Sequence, residues 1–427
     1  MGSSRQYQER CSNKCYTDCR SDFKGRSDFV INIGLIGFGT VGVGVYNTFM
    51  ERKDYLEMLL QNELNIKKIL VKNIDKERNV KVNRELLTSN EDDFFSDNDI
   101  EIIIEVTPGA SDAYRYAKKA LLGNKHFITS NKALVSAYYE ELSTLFEEKN
   151  LKFLYEASVG GAIPIVREMK EQIKLNEVTN IRAILNGTTN FILTNIYEKN
   201  ISFYEALKTA QELGYAEQNP SDDIDGLDSM RKIRILSTLG FGTSIVEDDV
   251  LVNGIGNVSS YDIDTLKKRG FKVKLIASAI VSNGRYQVSV FPTAINSKDI
   301  FYNIDYRKNI ISFTGDKVGE LSFIGEGAGM YETANSVLSD LIEVISNKDF
   351  TSPLRARGLE NSISNYKGNF YVRISNEKID IPKEFIRDIV SEDNPFVFTT
   401  HEIKNFELIE YLKKIRQNDY SIIKIDK

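Results

Sequence analysis

The sequence Gly-Phe-Gly-Thr-Val-Gly at residues 37–42 constrains the fold of this chain more than any other feature. It follows residues 29–36, an apolar run rich in β-branched side chains that predicts a buried strand, and it precedes a stretch with helical apolar spacing. A strand, a glycine turn and a helix in this order are typical of a dinucleotide-binding fold. Gly37 would permit the turn, Gly39 the approach of a pyrophosphate, and Gly42 close packing of the helix.

The residues after the second predicted strand bear on which dinucleotide is bound. That strand should span residues 66–71, and NAD sites usually place an acid at its end to hold the ribose hydroxyls. Here Lys72 and Asn73 follow the strand, with Asp75 two residues later and Arg78 beyond it. Cations without a well-placed acid favour the 2′-phosphate of NADP. Asp75 leaves NAD open, and the cations could also be ordinary solvated charges.

Length and composition exclude several classes of protein. A chain of 427 residues suggests two or three domains rather than one core. No apolar run approaches the ~20 residues of a membrane-spanning helix. The formal charge of -6 gives no electrostatic case for binding nucleic acid or an anionic membrane.

The cysteines lie together near the N-terminus, at Cys11, Cys15 and Cys19. Their spacing would place them on one helix face, as in a metal site, but no histidine or further cysteine completes such a set. Residues 1–28 are polar, lack apolar periodicity and contain no signal-peptide core, so we predict a disordered leader. The remaining chain contains no cysteine, which excludes thiol catalysis and disulfides.

The pattern of elements divides the chain into three parts after the leader. Residues 29–155 alternate strands and helices, as in an α/β doubly wound parallel sheet of the Rossmann type. Residues 156–345 change to an α+β pattern. Residues 366–427 predict a small βαβαβ module, with a helix at residues 382–390.

Polar residues follow two of the predicted parallel strands. Thr107 follows one of these strands, and Ser130, Asn131 and Lys132 follow the next. Ligands of a doubly wound sheet bind beyond the carboxyl ends of its strands. We therefore expect these residues on the same rim as the glycine turn.

The helix predicted at residues 225–239 carries the best candidates for catalysis. A rotation of 100° per residue places Asp228 and Lys232 on one otherwise apolar arc, with Arg231 and Arg234 on the other side. Loss of hydration tends to lower the pKa of such a lysine, whereas the aspartate one turn earlier favours its charged form. The pair could donate a proton to a carbonyl oxygen that becomes an alkoxide. It could also be a helix ion pair whose lysine reaches solvent.

Acidic residues cluster just before this helix, at Glu217, Asp222, Asp223 and Asp225. Acids are expected at a helix N-terminus because they interact favourably with its dipole. A cationic substrate such as an amino acid would also need such carboxylates. The sequence at residues 186–190, Asn-Gly-Thr-Thr-Asn, could cap a helix, bind a carboxylate, or do both.

Seven segments in order resemble homoserine dehydrogenases over residues 31–341. They are GFGTVG at 37–42, TSNKA at 129–133, EASVGGAIP at 156–164, LNGTTN at 185–190, GYAE at 214–217, DIDGLD at 223–228 with Lys232, and GEGAG at 325–329. The resemblance implies NAD(P)H-dependent, reversible reduction of L-aspartate 4-semialdehyde to L-homoserine, on the route to threonine, methionine and isoleucine. The short stretch before the glycine turn implies the monofunctional form, without a fused aspartate kinase.

The resemblance also implies roles for individual residues. Lys232 would donate the proton, Asp228 would hold the substrate and orient that lysine, and Lys132 would lie near the nicotinamide and the substrate. Glu217 and Asp223 would receive the substrate ammonium or hydroxyl group. The further substrate contacts would be Asn186 and Thr188. The cofactor contacts would be Gly37, Phe38, Gly39, Thr40, Val41, Gly42, Lys72, Thr107, Ser130, Lys132, Gly214 and Gly327.

The turn at residues 156–163 resembles the monovalent-cation site of this family. There the backbone carbonyls of Glu156, Val159, Gly161 and Ile163 would bind sodium. Carbonyl ligation leaves no side-chain signature, so only the resemblance supports this expectation.

The C-terminal module, residues 366–427, occupies the place of the ACT regulatory module of many homoserine dehydrogenases. Residues 376–382 lack the glycine-containing ligand turn and one strand is missing, which argues against threonine feedback and leaves assembly as a role. The family resemblance implies a cytoplasmic homodimer or homotetramer. Two rivals remain open: another NAD(P)-dependent reductase of small amino-acid aldehydes or ketones, and a nucleotide-sensing regulator, which would leave the Asp228–Lys232 pair unexplained.

Overall fold

The computed structural model describes residues 30–78, 80–346, 357–375, 381–414 and 420–426. The predicted leader and residues 376–380 of the tail lie outside the described residues. The described chain contains a six-stranded sheet and a twelve-stranded sheet, each packed against helices. None of the described helices is both long and apolar enough to cross a membrane.

The described strands fall into three groups along the chain. The first six are β1 (Val30–Ile36), β2 (Glu63–Leu70), β3 (Leu87–Thr88), β4 (Ile100–Glu105), β5 (His126–Thr129) and β6 (Phe153–Leu154). The next six are β7 (Val178–Ile184), β8 (Val250–Val252), β9 (Phe271–Ser282), β10 (Arg285–Asn296), β11 (Lys308–Gly315) and β12 (Gly319–Glu326). The tail adds β13 (Glu360–Asn361), β14 (Lys367–Ile374), β15 (Ile386–Ser391), β16 (Phe396–Thr400), β17 (Ile403–Lys404) and β18 (Tyr420–Ile425).

The described helices pack on the faces and ends of these sheets. The helices up to residue 172 are α1 (Thr40–Leu60), α2 (Glu91–Phe95), α3 (Ala110–Leu122), α4 (Lys132–Glu148) and α5 (Ile165–Gln172). The later ones are α6 (Gly187–Lys199), α7 (Phe203–Glu212), α8 (Ser221–Ile224), α9 (Leu227–Phe241), α10 (Ser260–Lys268), α11 (Met330–Ile345) and α12 (Asn405–Lys414).

The first sheet has the strand order β3-β2-β1-β4-β5-β6, and every pairing in it is parallel. This is the doubly wound order of a Rossmann fold, so the predicted fold class is confirmed. Both faces of β1 are buried: Ile33 and Leu35 pack in the core that contains α1 and α11, and Ile36 packs in the larger core on the other side. The glycine turn therefore follows a strand that is fixed on both faces.

The second sheet is mainly antiparallel and runs β12-β11-β7-β9-β10-β18-β14-β16-β15. Its centre is the long hairpin of β9 and β10, which Asn283 and Gly284 connect with φ angles of 49° and 73°. Two consecutive residues with positive φ are typical of a turn that matches the twist of its strands. Helix α9 contacts β7, β9 and β10 of this sheet, which places its inward face at the centre of the fold.

The tail differs from its prediction. Residues 386–391 form the edge strand β15 instead of part of a helix at residues 382–390, so the βαβαβ order is wrong. The β-branched side chains of this segment suit a strand, and pairing with β16 supplies its backbone hydrogen bonds. The tail strands β14, β15, β16 and β18 are antiparallel neighbours, and β18 pairs in parallel with β10. The tail therefore extends the second sheet.

A buried charge fixes the tail to helix α10. Asp262 of this helix is fully buried, and its carboxylate accepts hydrogen bonds from Arg373 Nε at 2.9 Å and from the Tyr371 hydroxyl at 3.0 Å, both in β14. The same carboxylate accepts from the backbone N–H of Ser259 at 2.8 Å, which closes the capping box of α10. This satisfied carboxylate thus attaches the tail together with the pairing of β18 and β10.

Replacement of Arg373 by Met should destabilise the protein, because it leaves the Asp262 charge buried without its cation. We expect a loss of about 3–5 kcal/mol, the usual cost of breaking a buried ion pair. The shift of the urea-unfolding midpoint measures it. Arg387→Met, in the exposed edge strand of the same tail, is the matched control and should change stability by less than ~0.5 kcal/mol. Equal shifts for the two variants would contradict the assigned role of Arg373.

Candidate active site

The glycine turn at the end of β1 forms one wall of a cleft of about 620 Å³. Gly37 has a φ of 94°, and a Cβ atom at Gly42 would lie 2.2 Å from the Gly37 carbonyl oxygen. A Cβ atom at Gly39, in contrast, would meet no heavy atom of the surrounding described residues within 4 Å. The open side of the turn is therefore at Gly39, next to Thr40, Val41 and Gly42, whose N–H groups belong to the first turn of α1.

The lining of this large cleft contains several of the predicted cofactor contacts. It consists of Ile36, Gly37, Phe38, Gly39, Leu70, Val71, Lys72, Asn73, Lys76, Arg78, Ser89, Glu91, Val106, Thr107, Pro108, Asp112, Arg115 and Tyr116. Lys72 is exposed and pairs with Asp112 at 3.1 Å. Of the charged residues just beyond β2, the cations Lys72, Lys76 and Arg78 line this cleft, whereas Asp75 does not.

A buried acid that sequence reasoning missed holds the rim of this cleft. Glu105, the last residue of β4, is fully buried and accepts hydrogen bonds from the Thr107 backbone N–H and the Thr129 hydroxyl, both at 2.6 Å. Burial raises the pKa of the Glu105 carboxyl, and the bonds from Thr107 and Thr129 oppose this shift. Asn131 donates to the Thr107 carbonyl at 2.9 Å and so joins the ends of β4 and β5.

A second, smaller cleft of about 260 Å³ contains the predicted catalytic residues. Its lining consists of Lys132, Asn186, Gly187, Thr188, Gly214, Tyr215, Asp223, Asp228, Lys232, Arg307, Gly327, Ala328 and Gly329. These residues come from the starts of α4 and α6, the loop after α7, the helices α8 and α9, the residue before β11 and the turn between β12 and α11. The fold therefore brings predicted site residues from distant segments into one cleft, namely Lys132, Asn186, Thr188, Gly214, Asp223, Asp228, Lys232 and Gly327.

The carboxylate of Asp228 is the centre of this cleft. Asp228 is 2% exposed and accepts hydrogen bonds from Lys232 Nζ at 2.8 Å and from Asn186 Nδ2 at 2.9 Å. Lys132 Nζ binds its other oxygen. Lys232 also donates to the Leu185 carbonyl at 2.9 Å, so its ammonium points inward instead of reaching solvent. The i,i+4 pair predicted from helical spacing is present and buried.

Asn186 has two functions at this site, as the sequence left open. Its side-chain oxygen caps α6 by accepting from the Thr189 N–H at 2.8 Å. Its side-chain nitrogen donates to Asp223 at 2.6 Å and to Asp228 at 2.9 Å. One amide therefore holds two carboxylates in a fixed geometry at the helix start.

The charges of the cleft shift the pKa values of its groups in opposite directions. Burial, together with the charge of Lys132, lowers the pKa of Lys232, although Asp228 opposes this. Burial disfavours the charged form of Asp228, but Lys232 and Lys132 outweigh it and hold the pKa of this carboxyl far below its usual range. Burial and the charge of Asp228 raise the pKa of Asp223. A lysine with a lowered pKa beside a permanent carboxylate is suited to proton donation.

Some predicted residues lie outside this small cleft. Glu217 is exposed, and its side chain does not line either of the two clefts described above. The Ser130 N–H donates to the Glu105 carbonyl at 3.2 Å, where the strands β4 and β5 end. Gly214 and Gly327, expected at the cofactor, line the small cleft with Lys232.

Three further side chains of this region were missed. Arg307 and Tyr215 line the small cleft, and the Arg307 guanidinium lies 4.6 Å from the centre of the Tyr215 ring. Arg234, on the far side of α9, is buried and binds both carboxylate oxygens of Glu140 in α4, at 2.8 and 2.9 Å. The sequence signal for the Arg234–Glu140 pair was an arginine within a helix of mostly buried residues. Arg307 lies in no motif, so no such signal pointed to it.

The predicted cation turn is buried and surrounded by charge. The Glu156 carboxylate caps α5 by accepting from the N–H groups of Val166 and Arg167 at 2.9 and 2.7 Å. Its own N–H donates to Asp340 at 2.9 Å. The Gly161 carbonyl accepts from the Ser336 hydroxyl at 2.6 Å. Among the described residues, no group of at least three His, Cys, Asp or Glu side chains is placed to bind a metal ion.

Comparisons with known proteins identify the family of this chain. Residues 37–156 match the family model "Homoserine dehydrogenase, NAD binding domain", and residues 164–342 match "Homoserine dehydrogenase". The homoserine dehydrogenase of Bacillus subtilis is 39% identical over 317 residues, which cover 74% of this chain and 73% of that protein. The chain belongs to the homoserine dehydrogenase family.

Solved structures agree with this assignment. The structure of a homoserine dehydrogenase from Thiobacillus denitrificans superposes with a TM-score of 0.83 at 27% identity, covering 93% of this chain and 99% of that one. A hyperthermophilic archaeal homoserine dehydrogenase in complex with NADPH has a TM-score of 0.64 at 25% identity, with 77% of this chain and 100% of that one covered.

The protein is accordingly an NAD(P)-dependent oxidoreductase. It catalyses the reversible reduction of L-aspartate 4-semialdehyde to L-homoserine, a step towards threonine, methionine and isoleucine. The predicted family and reaction are confirmed. The rival regulator and the rival reductase find no support in these comparisons.

The turn geometry predicts different consequences for its glycines. Gly39→Ala should leave thermal stability unchanged, because a methyl group there meets no heavy atom of the described residues within 4 Å. It should weaken nicotinamide cofactor binding about tenfold or more if the pyrophosphate binds at this turn, as the glycine motif predicts. Gly42→Ala should destabilise the protein by about 1–3 kcal/mol, because its methyl group would overlap the Gly37 carbonyl. Fluorescence titration with NADPH and thermal unfolding measure the two effects. Full cofactor affinity in Gly39→Ala would show that the pyrophosphate does not bind at this turn.

Proposed function

We propose that Lys232 donates the proton to the aldehyde oxygen while the nicotinamide transfers hydride to the carbonyl carbon. The bond from Lys232 Nζ to Asp228 at 2.8 Å supports this role, because it fixes the ammonium at the inner wall of the small cleft. The lowered pKa of Lys232 supports it too, since a weaker hold on the proton favours transfer to an alkoxide. In the reverse direction the same amine accepts the proton from homoserine.

We further propose that the acids of the cleft bind the amino-acid part of the substrate. Asp223 and Asp228 would receive the ammonium or hydroxyl group, with Asn186 holding both carboxylates and Thr188 beside them. Lys132 would lie near the nicotinamide, because its backbone belongs to the rim of the parallel sheet while its ammonium binds Asp228. Glu217 remains a predicted substrate contact. Its side chain is exposed and does not line the small cleft, so it would have to move to reach a substrate there.

NADP is the cofactor that we propose for the large cleft. Lys72, Lys76 and Arg78 line it directly beyond β2, and the Arg78 guanidinium lies 5.9 Å from the Phe38 ring beside the glycine turn. These cations suit a 2′-phosphate, and Asp75, which could hold a ribose hydroxyl of NAD, instead binds Arg84. The archaeal relative solved with NADPH is consistent with this choice.

We propose that the turn at residues 156–163 binds a monovalent cation, sodium, through the carbonyls of Glu156, Val159, Gly161 and Ile163. The residues present fit such an ion. Carbonyl oxygens have two lone pairs, so the Gly161 carbonyl can bind an ion as well as the Ser336 hydroxyl. Glu156, Asp340 and Glu343 are buried around the turn with Lys170, whereas Arg167 is partly exposed. Burial and the charges of Glu156 and Glu343 raise the pKa of Asp340, and a bound cation would relieve this repulsion.

We also propose a division into domains and a role for the tail. Residues 29–155 would form the cofactor-binding domain and residues 156–345 the substrate-binding and dimerisation domain, limits that lie close to those of the matching family models. The tail, residues 366–427, would support assembly, since its strands continue the second sheet. A homodimer or homotetramer and a cytoplasmic location remain predictions.

Lys232→Met should abolish aspartate semialdehyde reduction, by about 10²-fold or more, because the proton donor is lost. NADPH binding should stay within about twofold, because Lys232 does not line the large cleft. Stopped-flow NADPH oxidation and fluorescence titration measure the two quantities. Lys208→Met, an exposed lysine of α7, is the matched control and should retain full activity. A parallel loss of turnover and cofactor binding would assign Lys232 a structural role instead.

The pH dependence of reduction should follow the protonation of Lys232. The donor is active below its pKa, so kcat for reduction should fall as pH rises through a value below the ordinary lysine pKa. Asp228 raises the pKa of Lys232, so Asp228→Asn should move this alkaline limb to lower pH. Single-turnover rates from about pH 6 to about pH 10 test this, since that range lies below the ordinary lysine pKa. A limb that stays in place in Asp228→Asn would disconnect Lys232 from the proton step.

A further inference from the structure

Three cations line the small cleft, and two of them share one counter-ion. Lys132 and Lys232 both bind Asp228, which leaves Arg307 as the cation of this lining that is not bonded to that carboxylate. Homoserine and aspartate semialdehyde each carry an ammonium group and a carboxylate. The acids of the cleft suit the ammonium, so the carboxylate needs a cation of its own.

The contacts of Arg307 orient its guanidinium and include one long ion pair, with Glu326. The group lies over the Tyr215 ring, with 4.6 Å from Cζ to the ring centre, and Nη2 donates to the Ala328 carbonyl at 3.3 Å. Its carboxylate neighbour, Glu326, is 3.9 Å away, beyond hydrogen-bond distance. The Tyr215 carbonyl in turn accepts from the Thr188 hydroxyl at 2.7 Å, which places Arg307 next to a proposed substrate contact.

The backbone that carries Arg307 is held from several sides. Asp305 binds Lys274 at 2.8 Å and Lys272 at 3.1 Å, both on β9. Asn190 donates to the carbonyls of Ile304 and Lys308 at 2.9 and 3.1 Å, so α6 holds both ends of the segment. A cation on a fixed backbone loses little freedom when a ligand binds, which favours affinity.

The Arg307 backbone also packs against the start of α6. A Cβ atom at Gly187 would lie 3.1 Å from the Arg307 carbonyl oxygen. Asn186, immediately before Gly187, holds Asp223 and Asp228. The segment that carries the cation and the residue that holds the two acids are therefore neighbours at the start of α6. An α-amino acid carries its ammonium group and its carboxylate on one carbon atom, so the groups that bind them must also be neighbours.

We propose that Arg307 binds the α-carboxylate of the substrate and thereby selects α-amino-acid substrates over simple alcohols and aldehydes. The inference rests on the proposed use of the small cleft as the substrate site. A guanidinium suits this task because its planar edge donates two parallel hydrogen bonds to a carboxylate.

The test compares Arg307→Met, Arg307→Lys and the unsubstituted protein in NADP-dependent oxidation of L-homoserine. Arg307→Met should raise KM for homoserine about 10- to 100-fold, as expected for the loss of a charge-assisted bidentate contact. It should change kcat and the Kd of NADPH by less than about threefold, because Arg307 takes no part in hydride or proton transfer. Arg307→Lys should recover part of the affinity, since it keeps the charge and loses the planar edge.

A substrate analogue separates carboxylate binding from a general disturbance of the cleft. 3-Amino-1-propanol is homoserine without its carboxylate, so its inhibition constant should be the same for Arg307→Met and the unsubstituted protein. Arg285→Met, an exposed arginine of β10, is the matched control and should leave KM unchanged. An unchanged KM for homoserine in Arg307→Met, a parallel rise in the inhibition constant of the analogue, or a raised Kd for NADPH would each overturn the proposal.

The outcome is independent of the proposed proton donor. If Lys232→Met remained active, the role of Lys232 would fail, whereas the comparison of KM values at Arg307 would still report on the carboxylate. If the unsubstituted protein oxidises homoserine and Arg307→Met has the same KM, only the inference about Arg307 fails.

Discussion

The rest of the active site depends on the buried carboxylate of Asp228. It is bound by Lys232 of its own helix, by Lys132 at the start of α4 and by Asn186 at the start of α6. One negative charge thus joins the rim of the parallel sheet to the helices on the second sheet. Without it, the buried ammonium group of Lys232 would face that of Lys132 with no carboxylate between them, which is costly. The carboxylate that fixes Lys232, the proposed proton donor, is therefore also the one that joins the two sheets at this site.

The parts of the fold that the sequence predicted are those that local chemistry determines. The strand β1, the turn at Gly37 and the helix α1 follow from side-chain periodicity and from a backbone conformation that favours glycine. Helix α4 shows the limit of this approach, because it begins at Lys132, within the polar residues expected on the ligand rim. Asn131 caps it, so this residue is a helix signal as well as part of the ligand rim. In the tail, the helix predicted over strand β15 is wrong because pairing with β16 is a tertiary property that no local pattern contains.

The active site divides in the same way. Asp228 and Lys232 are one helical turn apart, so spacing alone placed them together. Lys132 lies 96 residues before Asp228, and only resemblance to a family indicated that the two meet. Arg307 lies in no motif. It reaches the cleft because Asn190 of α6 and two lysines of β9, Lys272 and Lys274, hold its segment in place. Convergence of distant residues is a consequence of packing, and no local sequence pattern contains it.

The large and the small cleft should respond differently to substitutions. The large cleft, proposed for the cofactor, combines a turn, a helix N-terminus and the ends of parallel strands with charged side chains such as Lys72, Lys76 and Arg78. The small cleft, proposed for the substrate, contains ionisable side chains whose charges act on one another, so each of its shifted pKa values depends on several neighbours. A substitution at Arg307, at the edge of that network, would alter what binds without altering the charge on Lys232 through a direct contact. A substitution at Asp228 would alter both substrate binding and the surroundings of Lys232, because the same carboxylate holds Lys232, Lys132 and Asn186.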